Sequence, residues 1–214
     1  MMIKRLPVIP TLIMLIAVGI MVRLGFWQLD RLHQKEALLV RYADAQANAA
    51  EIEFPAFFEG TRSKTGETQF PQMKTDAAQA VLYRRSRVNC IAVENIITKA
   101  GASASGESGV VHIADCALAN GRIAKVVLGW SRSLNTPGWT GGEIAGVLTS
   151  GGLTARLVAD PPIAGLAATH RPDPASIPNN HLSYAVQWFA FALTALVIFG
   201  LALRKRLAAP GTGR

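Results

Sequence analysis

Two largely apolar runs stand near the ends of the chain, residues 6–22 and 182–203, and neither contains a charged residue. A helix that crosses a bilayer needs roughly 20 mostly apolar residues at ~1.5 Å each. The second run meets that length. The first meets it once Arg23 and Trp27 are counted as a snorkelling cation and an interfacial anchor. The pattern predicts two transmembrane helices enclosing a soluble domain of about 130 residues, long enough to bury a modest core.

After the first run, residues 27–48 keep a helical pattern. Leu29, Leu32, Leu39 and Val40 recur at helical spacing, while Asp30, Arg31, Lys35 and Glu36 take the other face. The first span is expected to continue as a helix into the soluble phase, with Pro55 ending any continuation. Residues 59–79 are polar and weakly patterned. Strands are then expected at 81–93, 110–118, 124–130, 143–148 and 153–159. The Gly- and Ser-rich stretch 98–109 reads as a flexible turn, and 135–142 as a tight connection. No helical pattern of ~10 residues separates these strands, which favours an antiparallel sheet or small open barrel over a parallel α/β fold. Residues 160–181 hold five of the eleven prolines and read as an extended linker back to the membrane. The expected organisation is thus a cytoplasmic end and first span (1–26), a juxtamembrane helix (27–53), a β-rich domain (54–159), a Pro-rich linker (160–181), a second span (182–203) and a cytoplasmic tail (204–214).

Charge orients this plan. The chain carries a formal +8, which by itself would suggest nucleic acid. All 14 acidic residues lie between Asp30 and Asp173, together with 15 of the 22 basic ones, so the middle is nearly neutral at +1. The remaining cations are Lys4, Arg5, Arg23, Arg204, Lys205, Arg206 and Arg214. Six of these flank the spans on their outer ends, the positive-inside pattern, so both termini are expected in the cytoplasm and the middle across the membrane. A nucleic-acid stripe would sit on the soluble domain instead, so no nucleic-acid partner is expected. The first run is longer than the apolar core of a signal peptide and ends in a poor cleavage site, so a retained anchor is expected. No Arg- and Ser-rich leader precedes it, and a bacterial inner membrane with a periplasmic domain is the natural setting.

The chemistry-bearing residues are few. There is no G-x-S-x-G, phosphate loop, dinucleotide fingerprint or H-E-x-x-H. Cys90 and Cys116 lie on consecutive expected strands. A disulfide, two buried thiols and metal ligation all stay open. His33 is expected in solvent, His112 as a structural residue within a strand and His170 exposed in the linker. His181 differs, standing one residue before the second span. It reads either as an interfacial polar residue, with Asn179 and Asn180 beside it as helix caps, or as the ligand of a haem iron whose macrocycle lies among apolar side chains. Tyr184, Gln187, Trp188 and Phe191 follow it at i, i+3, i+4, i+7 spacing and form one helix face. That face reads as an aromatic belt or as a surface for an amphiphilic cofactor or a partner subunit.

Two segments resemble a known family. LGFWQLDRLHQKEALL (24–39) is similar to the G-x-W-Q-x-x-R-x-x-x-K motif of the Surfeit locus protein 1 family, at Gly25, Trp27, Gln28, Arg31 and Lys35. NNHLSYAVQWFAFAL (179–193) is similar to that family's H-L-x-Y-A-x-x-W-F motif, at His181, Leu182, Tyr184, Ala185, Trp188 and Phe189. Residues 83–88 (YRRSRV) and 126–130 (VVLGW) look like two of its strands. Cys90 stands where a glycine is usual, Val127 and Leu128 replace Asn-Arg, and the stretch 59–81 has no counterpart.

The resemblance implies a membrane α+β protein, two transmembrane helices flanking a periplasmic antiparallel β-rich, open barrel-like domain. It implies a non-enzymatic assembly factor for cytochrome c oxidase, which binds haem A transiently and assists its insertion into the catalytic subunit of the haem-copper oxidase. Haem A synthase is a further candidate partner, and the lipid bilayer surrounds the spans. By the same resemblance His181 is the haem-iron ligand. Tyr184, Gln187 and Trp188 are then expected to line the pocket, with Trp27, Gln28 and Arg31 closing it from the first helix and Arg31 pairing with a propionate. The alternative is a structural chaperone that stabilises an oxidase subunit by helix packing and never touches haem.

Overall fold

The computed structural model describes residues 7–63, 65–72, 76–152 and 154–208. Lys4, Arg5, Lys64, Lys74 and Arg214 of the charge argument lie outside them, as do Leu6 of the first apolar run and Leu153 at the head of the last expected strand. Along the chain come α1 (Val8–Ala47), β1 (Ile52–Glu53), a 3-10 turn (Ala56–Phe58), β2 (Thr61–Arg62), β3 (Thr68–Gln69) and α2 (Asp76–Ala80). Then follow β4 (Arg85–Cys90), β5 (Ala92–Ala102), β6 (Ser108–Ala117), β7 (Ile123–Ser131), β8 (Gly142–Ser150), β9 (Ala155–Ala159), a second 3-10 turn (Pro174–Ser176) and α3 (His181–Ala208). They form two compact units: Met1–Leu38 with Pro178–Arg214, and Leu39–Ile177.

In the first unit, α1 and α3 are both long and apolar enough to cross a membrane, and only 6% of the apolar window of each is buried within the protein. A core helix of a soluble domain would be mostly buried, so a bilayer is the natural cover. Pro10 falls in the first turn of α1, where its missing N–H is tolerated. Gln28 reaches His181 while Gly25 lies against Phe189, so the two helices run antiparallel. The seam is made of small residues. Gly25, Ala185 and Ala192 are buried, and close backbone approach replaces the hydrophobic drive that lipid cannot supply. Lys205 and Arg206 close the last turn of α3, where cations complement the helix dipole. Asn180 accepts the first helical bond through its carbonyl, from the Tyr184 N–H. The Asn179 side-chain oxygen is buried without a partner and so does not cap the helix.

The second unit is a seven-stranded sheet in the order β1-β4-β8-β9-β7-β6-β5, with β2 and β3 as a separate hairpin. The expected sheet is mostly antiparallel, but β1 runs parallel to β4 and β9 parallel to β7. The second pairing arises because the β8–β9 hairpin folds back and inserts β9 beside β7. β4 and β5 are separated only by Ile91 in sequence, yet they are second and last in the sheet order. The sheet must therefore curl so that one bent segment serves both ends, as in an open barrel. Its inner face carries Ala114, Cys116, Ala124, Val126, Leu148 and Leu157, none with accessible surface. The alanines leave room for the tight curl.

Cys90 and Cys116 form a disulfide across a Cα separation of 5.3 Å, tying the end of β4 to β6. This settles the three readings of the cysteines. The last turns of α1 belong to this unit, with Tyr42 buried and its ring 4.9 Å from that of Tyr83. The helix stops at Ala47, and Ile52–Glu53 of the expected juxtamembrane helix already belong to the sheet.

Three expectations change. The strand expected at 81–93 is divided, because Tyr83 adopts φ +66 in a turn and Ile91 switches pairing, its N–H donating to Ala117 O on β6. The turn expected at 98–109 shrinks to five residues, since the β5–β6 ladder continues to Ala102 opposite Ser108. The Pro-rich stretch is not a free linker. Ile163 N–H donates to Leu128 O, Ala167 and Trp130 exchange backbone bonds, and His170 N–H donates to Ala102 O. Gly129 permits this, for a Cβ there would lie 2.6 Å from Leu166 Cβ and 2.8 Å from Ala167 O. The adjoining Trp130 lies over Gly109 and donates its indole N–H to Gly101 O at 3.3 Å.

His112 has no accessible surface and its Nε2 lies 2.8 Å from Ser131 Oγ, while Nδ1 has no partner. Burial pushes its pKa below the ordinary imidazole value, against a smaller opposing effect of the Ser133 backbone. The unfolded chain then takes up the proton more readily than the folded one, so stability is full above about pH 6.5 and falls as pH drops below it. Thermal unfolding between pH 7 and 5 is expected to show this loss. In His112→Gln the slope should flatten; an equal slope in both proteins would assign the loss to other groups.

Candidate functional site

The two boundary motifs meet in the helix unit. Gln28 lies on the seam of α1 and His181 opens α3, and Gln28 Oε1 is 2.8 Å from His181 Nδ1. An amide oxygen only accepts, so the ring nitrogen donates and Nε2 is left free. An amide on an otherwise apolar helix seam is costly without a partner, and this bond satisfies it.

Phe26 and Phe189 meet edge to face with centroids 5.4 Å apart, marking one flank of the helix pair. Each residue turns about 100° around its helix axis, and the two antiparallel helices turn in opposite senses when viewed along one direction. Trp27 and Arg31 on α1 therefore fall on the opposite flank, as do Tyr184, Trp188 and Phe191 on α3. Exposure agrees: Trp27, Tyr184 and Phe191 keep about half their surface, 46%, 49% and 56%, and Trp188 is half-buried with its ring against Phe191 at 6.2 Å. Arg31 is exposed and donates to Gln34 Oε1 at 2.9 Å on its own helix. Gln187 is exposed, and the same geometry turns it farthest from α1 among the four residues of the expected face.

Of the seven predicted site residues, the structure brings Gln28 and His181 into direct contact. It sets Trp27, Arg31, Tyr184 and Trp188 around one open flank and leaves Gln187 at its margin. Sequence reasoning assigned no role to Gly25, whose added Cβ would come 2.6 Å from the Phe189 ring. The small residue that opens the first motif was the available signal. Elsewhere, among the described residues, no group of three or more His, Cys, Asp or Glu side chains is placed to hold a metal ion.

A comparison with curated proteins finds no match. The profile of the SURF1 family matches residues 15–193, taking in both boundary motifs and the whole sheet unit between them, and the chain belongs to that family, which is associated with cytochrome c oxidase assembly.

Proposed function

We propose that the protein is a non-enzymatic assembly factor that holds haem A transiently and passes it to the catalytic subunit of a haem-copper oxidase. The observation that carries this reading is an imidazole at the head of a membrane helix, anchored by Gln28 on one nitrogen and beside an open aromatic flank. These residues suit an amphiphilic metal macrocycle. His181 would ligate the iron through Nε2, and Trp27, Tyr184 and Trp188 would cover the apolar ring. Arg31, three residues past Gln28 on α1, would pair with a propionate carboxylate. Haem A would be cargo here, and His181 would hold its iron until transfer. Haem A synthase is a natural source of the cargo.

Two further observations support the topology of this reading. A disulfide persists in an oxidising compartment, which supports a periplasmic sheet unit. Arg204, Lys205 and Arg206 at the end of α3 support a cytoplasmic C-terminus in a bacterial inner membrane. A structural chaperone is the second reading, because the same exposed aromatic flank would also suit a partner helix.

Oxidase maturation separates productive haem handling from none. In cells carrying His181→Ala or Trp27→Ala, oxidase activity per catalytic subunit is expected to fall while the variant accumulates normally in the membrane. Unchanged maturation in both strains would refute the haem reading.

A further inference from the structure

Resting on the haem reading of this site, we propose that Gln28 is a positioning residue that sets how firmly His181 holds iron. The Gln28–His181 bond fixes two things at once. It selects the tautomer with the proton on Nδ1, and it holds the ring plane against α1 so that the Nε2 lone pair has one direction. Hydrogen-bond acceptors behind a ligating imidazole generally raise its donor strength, and their loss costs metal affinity.

The identity of the acceptor matters. An amide oxygen is neutral and polarises the ring moderately. A carboxylate would draw the Nδ1 proton further and strengthen the iron bond, while an apolar side chain would leave tautomer and orientation free. A carrier that must both capture and release its cargo is served by the middle case. No carboxylate is available to take the role from within this unit's seam. Asp30 and Glu36 are the acidic residues of Met1–Leu38, both exposed, and 178–214 contains none.

The test uses the full chain in mild detergent, with ferric protohaem as the probe and the visible absorption band as readout. Gln28→Leu is expected to weaken ferric haem binding by about 10–100-fold. Gln28→Glu is expected to bind more tightly than wild type and to release haem more slowly to apomyoglobin. Opposite signs from the two variants are the signature that a merely structural role would not give. Nitrogen NMR of histidine-labelled, haem-free protein reads the tautomer independently, and wild type should show His181 protonated at Nδ1. A proton on Nε2, or equal losses of affinity in both variants, would overturn the proposal. If His181→Ala abolishes binding but neither Gln28 variant changes it, the positioning role fails and the haem reading stands. If His181→Ala binds haem as wild type does, both fail.

Discussion

A chain in which Cys90 and Cys116 are both replaced by alanine is expected to lose about 3.5 kcal/mol of stability. The two cysteines are 26 residues apart, and closing a loop of that size removes conformational freedom from the unfolded chain in roughly that amount. Topology makes this loop consequential. β4 and β5 share one bent segment, and the disulfide holds its bend to β6, where the curled sheet closes on itself. Thermal unfolding of the full chain in detergent, followed by circular dichroism, should show the midpoint lower by roughly 10 °C. Both cysteines are buried, at 2% and 0% exposure, so a reductant added to the folded protein should act only through opening of the sheet. A midpoint shift below about 2 °C would mean that the strand ladders alone hold the curl.

Gly25→Leu is expected to weaken haem retention strongly although Gly25 need not touch haem. An added Cβ would meet three atoms of the Phe189 ring at 2.6–2.9 Å, and leucine adds more bulk beyond it. Overpacking of this kind costs about 1–3 kcal/mol. Here the strain is relieved by parting α1 from α3, because lipid does not press them together. Gln28 lies one turn away, and its 2.8 Å bond to His181 would not survive a separation of an ångström or more. Haem binding should fall at least about tenfold, as for loss of the Gln28 acceptor. Adding Phe189→Leu to Gly25→Ala should keep binding near wild type by making room across the seam. Undiminished binding in Gly25→Leu would show that the seam does not set the site.

The two spans were legible because a bilayer imposes a length and excludes charge, and residues 182–203 satisfy both without reference to the rest of the chain. Strand β7 was legible for a related reason: AKVVLGW is apolar enough to be a buried strand and little else. What failed depended on distant partners. The division of 81–93 follows from Ile91 pairing with Ala117, and no local pattern announces it. The prolines of 160–181 argued for an extended chain, but a turn at Ala164 and Gly165 and the 3-10 turn at Pro174–Ser176 interrupt it. Its packing over Gly129 and Trp130 is a tertiary fact, with only the glycine as a local sign. At the site, the spacing of Tyr184, Gln187, Trp188 and Phe191 gave a common face but not its direction. In a soluble helix the polar side would have oriented it. A membrane helix is apolar all round, so the choice of Ala185 and Ala192 for the seam was hidden.

The most direct test of haem handling is the visible spectrum of the protein purified in mild detergent from cells that make haem A, compared with that of His181→Ala. A haem spectrum in wild type, lost or shifted in the variant, is expected. A colourless wild type from cells shown to contain haem A would contradict it and leave helix packing against an oxidase subunit as the function of the exposed flank.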